Sequence, residues 1–433
     1  MYTKTVRRAL PSMAALVAVT AVLAGCGGSE PAASAGATSF GLLINDDNQI
    51  VQDELTTLSQ GQCADANSAL PLDIQTVPQA GLDQKLQLLG GQNALPAQFA
   101  AGGAPAQTKS LNDAGQTLDL ESTLTALGVA DNIEPAALST IKNLYGSFIV
   151  LPYQFNIEGI WYNKKLFADN GIEVPGTWDE LGTAAATLKE AGLTPFSASG
   201  EQGWPITRLI SGYIYRELGP DALQRVADGE AKLTDPAYVA GAQAIADLGA
   251  QGYFGQGVGS IDYDTSVSQF LTGKAGMLYM GSWVLGALND PDQNLIGADN
   301  IGFMPMPTVD GGVGTADQIP ANVGLPISVS KTSYNDEVGA WLSCITTNYG
   351  AASLADQGAV SGFKVNGDVG DVAPLTQLVQ DTIANTTEST LWFEALFNVK
   401  ATTTSAQNAA PLVDGSISAE DFMAKVQADL DAD

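Results

Sequence analysis

The stretch Ser39–Ser59, SFGLLINDDNQIVQDELTTLS, carries the reading on which the fold depends. Ser39–Ile44 is a short apolar run with the length of a buried strand, and Gln49–Ser59 is a longer amphipathic run with the character of a helix. The alternation continues outward. Leu72–Val77 (LDIQTV) predicts a second strand, Leu82–Leu89 a second helix and Ala94–Ala100 a third strand. A β-α-β-α-β order predicts a parallel sheet with helices on its faces. Farther along, Gly159–Tyr162 and Ala275–Met280 predict strands, and Trp178–Ala191 an amphipathic helix. Asp235–Gln251 predicts a helix opened by an Asp-Pro signal with Pro236 in its first turn, and Ser266–Leu271 one closed by Gly273. Asp336–Asn348 places Val338, Trp341, Leu342 and Ile345 at core-facing helical spacing. No internal repeat of fixed period interrupts this order.

Composition narrows the chemistry. The chain has 433 residues, with 18 basic residues against 47 acidic ones and no histidine. It opens with Lys4, Arg7 and Arg8, followed by an uncharged Ala-, Val- and Leu-rich run from Ala9 to Gly25, the pattern of a secretion signal and too short for a comfortable membrane span. That run ends in Leu23-Ala24-Gly25-Cys26, which resembles the lipobox of bacterial lipoproteins. The resemblance implies cleavage before Cys26 and a diacylglycerol on its thiol, with residues 1–25 as signal peptide. Gly27–Thr38 (GGSEPAASAGAT) reads as a flexible tether, making 26–38 the lipidated linker.

The 408 residues from Cys26 onward are enough for two domains with sizeable cores. Loss of the signal leaves 15 basic residues and a net charge of −32. Such a surface repels nucleic acid and makes an acidic substrate a poor candidate. Without histidine, Ser-His-Asp and Cys-His catalysis and His-ligated metal sites are excluded. Cys63 and Cys344 form no CxxC pair, and outside the cytoplasm both a disulfide and two buried thiols remain open. Asp290–Asn300 fails as an EF-hand because Leu295 stands where the turn needs glycine. Neither a cofactor nor a metal is expected.

Several ordered segments resemble the family 1 extracellular solute-binding proteins of ABC importers, relatives of the maltose- and maltodextrin-binding proteins. Leu151–Phe167 (LPYQFNIEGIWYNKKLF) is similar to the family's hinge strand and Tyr-Asn-Lys, and Pro175–Leu181 (PGTWDEL) to its Pro-x-Thr-Trp motif. Glu201–Pro205 (EQGWP), Gly252–Phe254, Asp262–Phe270 (DYDTSVSQF), Gly273–Met277, Gly281-Ser282-Trp283 and Asp414–Val426 follow in the family's order. The resemblance implies an α/β, two-lobe periplasmic-binding-protein-like fold of type II, each lobe a central sheet flanked by helices, with a ligand cleft between them. One lobe is expected from 39–154 plus 308–350 and the other from 155–307 plus 351–433. Both cysteines then fall in the first lobe, which favours a bridge.

The implied function is an exported receptor, lipid-anchored to the outer face of the cell membrane. It captures a mono-, di- or oligosaccharide and delivers it to ABC permease transmembrane subunits served by a cytoplasmic ATPase. It is expected to be a monomer and not an enzyme. Sugars stack C–H faces on aromatic rings and pair hydroxyls with carboxylates and amides. On the matched segments the ligand-binding residues are Trp283, Trp204, Trp392, Tyr263, Asp262, Glu201 and Asn156, with Asp47 and Asn48 after the first strand. Each has a plainer role open to it: core or rim packing for the tryptophans, helix capping for Asp262 and Asp47, a solvated loop charge for Glu201. Tyr162, Asn163, Trp178 and Trp341 read as structural. Phe99-Ala100-Ala101-Gly102-Gly103 departs from the polar or aromatic pattern of sugar-binding relatives and leaves more room on that side. Two alternatives stand beside this reading. One is a binding protein for a quaternary amine or polyol. The other is a secreted glycoside hydrolase with Asp262 and Glu201 as its carboxylates.

Overall fold

The computed structural model describes residues 38–46, 49–101 and 105–432. The signal, Cys26 and the tether up to residue 37, together with Asp47, Asn48, Gly102 and Gly103, lie outside the described residues. Among the described residues eleven strands appear in chain order: β1 (Phe40–Asn45), β2 (Leu72–Val77), β3 (Gln98–Ala100), β4 (Val150–Pro152), β5 (Asn156–Asn163), β6 (Thr194–Ser197), β7 (Ala275–Gly281), β8 (Ile301–Met304), β9 (Ile319–Asn322), β10 (Pro326–Val329) and β11 (Ser389–Thr390). They build two sheets.

The first sheet has the order β2-β1-β3-β10-β4. Its β1, β2 and β3 run parallel, as the alternating pattern predicts, while β10 lies antiparallel between β3 and β4. The expected third strand Ala94–Ala100 shrinks to Gln98–Ala100. Asn93 takes a positive φ of 52°, and Pro96 has no N–H to give a ladder. Helices Gln49–Gln60 and Asp336–Gln357 pack together over this sheet. The latter runs nine residues beyond the predicted Asn348, because Tyr349, Gly350, Ser353 and Leu354 continue its buried stripe. A Cys63–Cys344 disulfide ties it to the start of helix Ala64–Ala69. Trp341 is fully buried, stacked on Phe40 with ring centres 4.6 Å apart, and its indole N–H donates to the Leu70 carbonyl at 2.8 Å.

The second sheet has the order β11-β9-β5-β7-β6, with β8 also paired to β5. β5 is its spine: β7 lies along one edge, and β9 and β8 share the other at opposite ends. Along β7 the side chains alternate between two apolar clusters. Leu278 and Met280 join the cluster that continues into the first sheet, and Met277 and Tyr279 the one under helix Trp204–Leu218. Helix Trp178–Glu190 starts where predicted because Thr177 and Glu180 form a reciprocal capping box. Asn163 caps helix Lys164–Asp169, and Trp178 packs edge-on against Tyr213, so both residues serve the fold.

The chain passes between the sheets three times, from β4 to β5, from β9 to β10 and, after helix Asp336–Gln357, from β10 to β11. The boundary at 307/308 implied by the resemblance therefore falls one strand early by sheet membership, since Ile319–Asn322 still pairs in the second sheet. Among the described residues no helix is long and apolar enough to cross a membrane.

Glu54 sits fully buried on helix Gln49–Gln60. Burial, and then the nearby Asp356, raise its pKa from 4.5 to about 7, with the side chain of Gln357 acting in the opposite direction. A carboxyl whose folded pKa is raised contributes stability that is fully present below its unfolded value and is lost as pH climbs through the folded one. Urea denaturation is expected to show stability falling between pH 4.5 and about 7, with Glu54→Gln flattening that slope. An unchanged slope in the variant refutes the assignment.

Candidate functional site

Strand ends from both sheets meet at one place. Asn45 closes β1 and Ala100 closes β3, while Asn322 closes β9, Trp283 follows β7 and Trp392 follows β11. Carboxyl ends of strands in α/β sheets leave such crevices open because helices depart to either side. With Leu82, Asp83, Ala101, Pro105, Leu144, Tyr145, Trp204, Arg208, Val323, Leu325 and Pro326, they line a cavity of about 630 Å³. Small side chains at Ala100 and Ala101 leave the first-sheet wall open. A neighbouring cavity of about 700 Å³ shares Pro105 and Leu144 and runs along Ala395–Lys400.

Local backbone explains where the three cavity tryptophans stand. Trp283 sits in a single 3₁₀ turn, Ser282–Val284. A Cβ on Gly281 would overlap its ring, so only glycine lets the indole fold back over the end of β7. Trp204 is the first residue of helix Trp204–Leu218 rather than part of a loop. The preceding Gly203 has φ of 73° and passes so close to the Ala406 carbonyl that a side chain has no space. Trp392 belongs to a short segment held by Glu394, a buried carboxylate that accepts from the hydroxyls of Thr207 and Ser405. Burial pushes the Glu394 pKa up, opposed by Thr207 and Arg208. All three indoles are half-buried, whereas Trp161 and Trp341 are fully enclosed.

Arg208 organises the group. It lies one helical turn after Trp204, on the same face of the helix. Its guanidinium carbon is 4.5 Å from the Trp204 ring centre, 5.4 Å from Trp283 and 5.6 Å from Trp392. Nη1 of Arg208 pairs with Oε1 of Glu158 at 2.6 Å, with side chains only 15% and 1% exposed. The Glu158 carboxylate also accepts from Asn322 Nδ2 at 2.9 Å and from the Tyr279 hydroxyl at 3.4 Å. Burial, and then the Glu158 charge, lift the Tyr279 pKa well above its ordinary value.

The expected site residues fall into distinct places. Trp204, Trp283 and Trp392 line the cavity together. Tyr263 lies behind them, its ring 6.2 Å from Trp204, and burial raises its phenol pKa with the Trp283 indole opposing. Asn156 also stands one layer back. It donates to Asn322 Oδ1 at 3.3 Å and accepts from Ser282 Oγ at 3.3 Å, linking β5, β9 and the Trp283 turn. Asp262 is exposed and caps helix Tyr263–Leu271 by accepting from Thr265 N at 2.7 Å, the plainer of its two roles. Glu201 is an exposed loop residue and does not line the cavity. Asp47 and Asn48 lie outside the described residues, and Asn45 just before them is the residue of that strand end that reaches the cavity.

Arg208, Glu158 and Asn322 escaped the sequence reading. A Glu inside the apolar run Asn156–Asn163 and an Arg four residues after Trp204 were their only signals.

Two sheet-based lobes with a shared aromatic cleft at their strand ends define the type II periplasmic-binding-protein fold. Residues 69–352 match the bacterial extracellular solute-binding proteins, and the chain belongs to that family. A chitin oligosaccharide binding protein of solved structure aligns with TM-score 0.70 at 28% identity, over 91% of this chain and 98% of that one. A probable secreted solute-binding lipoprotein from Streptomyces coelicolor shares the fold, with TM-score 0.77 at 17% identity over 92% and 100% of the two chains. The multiple sugar-binding protein of Streptococcus mutans is 26% identical over 302 residues, 65% of each chain. Matches to curated relatives span from 15% to 65% of those relatives' length.

Removing Glu158 strands the Arg208 charge. Glu158→Ala is expected to lower unfolding free energy by about 3–5 kcal/mol, the usual cost of breaking a buried pair. Glu201→Ala is expected to change little, as for an exposed loop charge. Chemical denaturation of both variants decides between these weights.

Proposed function

We propose that the protein is an extracellular, lipid-anchored receptor of an ABC importer and that it captures a carbohydrate in this cleft. The observation that carries the reading is three half-exposed indoles gathered beside the amides of Asn45 and Asn322 and the carboxylate of Asp83 in one cavity. Rings for C–H faces and amides and a carboxylate for hydroxyls are what a neutral sugar needs. The relatives described as binding chitin oligosaccharide and multiple sugars support the same ligand class. A second cavity adjoining the first favours an oligosaccharide over a single ring.

Binding involves no chemistry. We read the lobes as 39–154 with 308–350 and 155–307 with 351–433, adjusted so that β9 stays with the second sheet. They close about the β4–β5, β9–β10 and β10–β11 crossings, and the closed form is what transmembrane permease subunits with a cytoplasmic ATPase recognise. The receptor acts as a monomer. Export and the lipid on Cys26 rest on the sequence signal and place it on the outer face of the cell membrane. Against the hydrolase reading, Asp262 and Glu201 are both exposed and outside the cavity. Against the amine reading, the ring cluster already surrounds a cation.

A thermal-shift screen of residues 39–433 against mono-, di- and oligosaccharides, with polyols, betaines and sugar phosphates as decoys, tests the ligand. One sugar class is expected to raise the melting temperature without being hydrolysed, and Trp283→Ala to weaken its binding at least about tenfold. A shift only with a decoy sinks the sugar assignment, and turnover of the sugar sinks the receptor. Separately, Cys26→Ser is expected to move the protein from the membrane fraction to the medium. Unchanged membrane retention in that variant refutes the anchor.

A further inference from the structure

The group at the centre of the cleft is charged, and it is part of the protein. The Arg208 guanidinium lies within 5.6 Å of three tryptophan ring centres, the distance at which a cation is held by aromatic faces. Trp204 and Trp283 stand 5.8 Å apart at 62°, so their faces enclose the guanidinium rather than stack on each other. The Arg208 Nε is buried with no hydrogen-bond partner, so the rings supply what a donor would otherwise need there. Behind the rings Glu158 completes the arrangement, a carboxylate whose side chain is 1% exposed. Aromatic walls with a carboxylate at the back are the recognition chemistry of a quaternary ammonium ion.

Arg208 cannot leave this position cheaply. It is anchored one turn along the helix that begins with Trp204, and its departure leaves Glu158 buried with only the neutral donors Asn322 and Tyr279. We propose that Arg208 is a specificity-determining residue: it fills the cation position of a three-tryptophan cage, so the site refuses cationic solutes and accepts neutral ones. The inference goes beyond the carbohydrate reading, because it concerns what the cleft rejects, and its test uses no sugar. An incoming cation meets a like charge where the ring faces converge, whereas a neutral ring meets only the edges and outer faces of the indoles. The same device orients the tryptophans, since all three contact one fixed group.

The test compares the wild-type protein with Arg208→Ala, using tetramethylammonium chloride as probe and sodium chloride at equal ionic strength as control. Binding is read by tryptophan fluorescence titration and by the melting temperature. The wild-type protein is expected to respond identically to the two salts. Arg208→Ala is expected to melt lower, to regain part of the loss with tetramethylammonium but not with sodium chloride, and to bind tetramethylammonium at least about tenfold more tightly than wild type does. Methylguanidinium, which restores the lost head group, is expected to rescue the variant in the same way. If Arg208→Ala does not fold because Glu158 is stranded, Arg208→Ala/Glu158→Gln carries the test. That variant keeps the rings without either charge and is expected to bind tetramethylammonium more tightly than wild type. Saturable binding of tetramethylammonium by the wild-type protein, or a folded variant that gains none, overturns the proposal. A wild-type protein that binds tetramethylammonium and still shifts with one sugar class loses this proposal and keeps the carbohydrate reading, so the two readings fail distinguishably.

Discussion

A carboxylate buried inside a sheet has to be neutralised by something, and in this protein that requirement shapes the cleft. Glu158 stands in β5 with its side chain 1% exposed. Left unpaired, a charge so enclosed costs several kcal/mol. Its partners come from three elements: Arg208 from the helix beginning at Trp204, Asn322 from β9 and Tyr279 from β7. Satisfying one carboxylate thus fixes the relative positions of that helix and two strands. Trp204 rides on the helix and Trp283 on the end of β7, so the aromatic walls inherit their placement from the ion pair behind them.

The same network reaches the places where the chain crosses between sheets. Asn322 lines the cavity, donates to Glu158 and accepts from Asn156, the first residue of β5. Ser282, next to Trp283, bonds both to Asn156 and to the Ile157 N–H. Cleft wall and crossing segments therefore share side chains. A displacement of Asn322 or of the Trp283 turn is therefore carried into the hydrogen bonds that hold the start of β5. On the other side the first sheet offers Ala100 and Ala101, a wall of small residues against the crowded one opposite.

Much of this was legible one segment at a time. β1, β2 and their parallel pairing follow from alternating runs of apolar and amphipathic residues, and helix Trp178–Glu190 from a strong local cap. The Gly281-Ser282-Trp283 and Gly203-Trp204 steps were visible as motifs, and both glycines prove to be steric necessities. Other features were open until neighbours were known. By letter Asp262 was expected to be a cleft contact with helix capping as its plainer role, and only its exposure and its bond to Thr265 N separate the two. The Cys63–Cys344 bridge joins residues 281 positions apart, a distance at which sequence pattern says nothing of proximity.

By itself the sequence determined the kinds of element, the family resemblance and the exclusion of histidine chemistry, because periodicity, caps and composition are local or global properties of the chain. Tertiary structure alone decided that the glutamate at 158 and the arginine at 208 meet, and that both stand behind tryptophans at 204, 283 and 392. The physical reason is that charge burial is a property of a place, not of a residue. Glu158 is an ordinary letter in a strand until β7, β9 and a helix enclose it, and only then does its need for a cation put Arg208 among the rings.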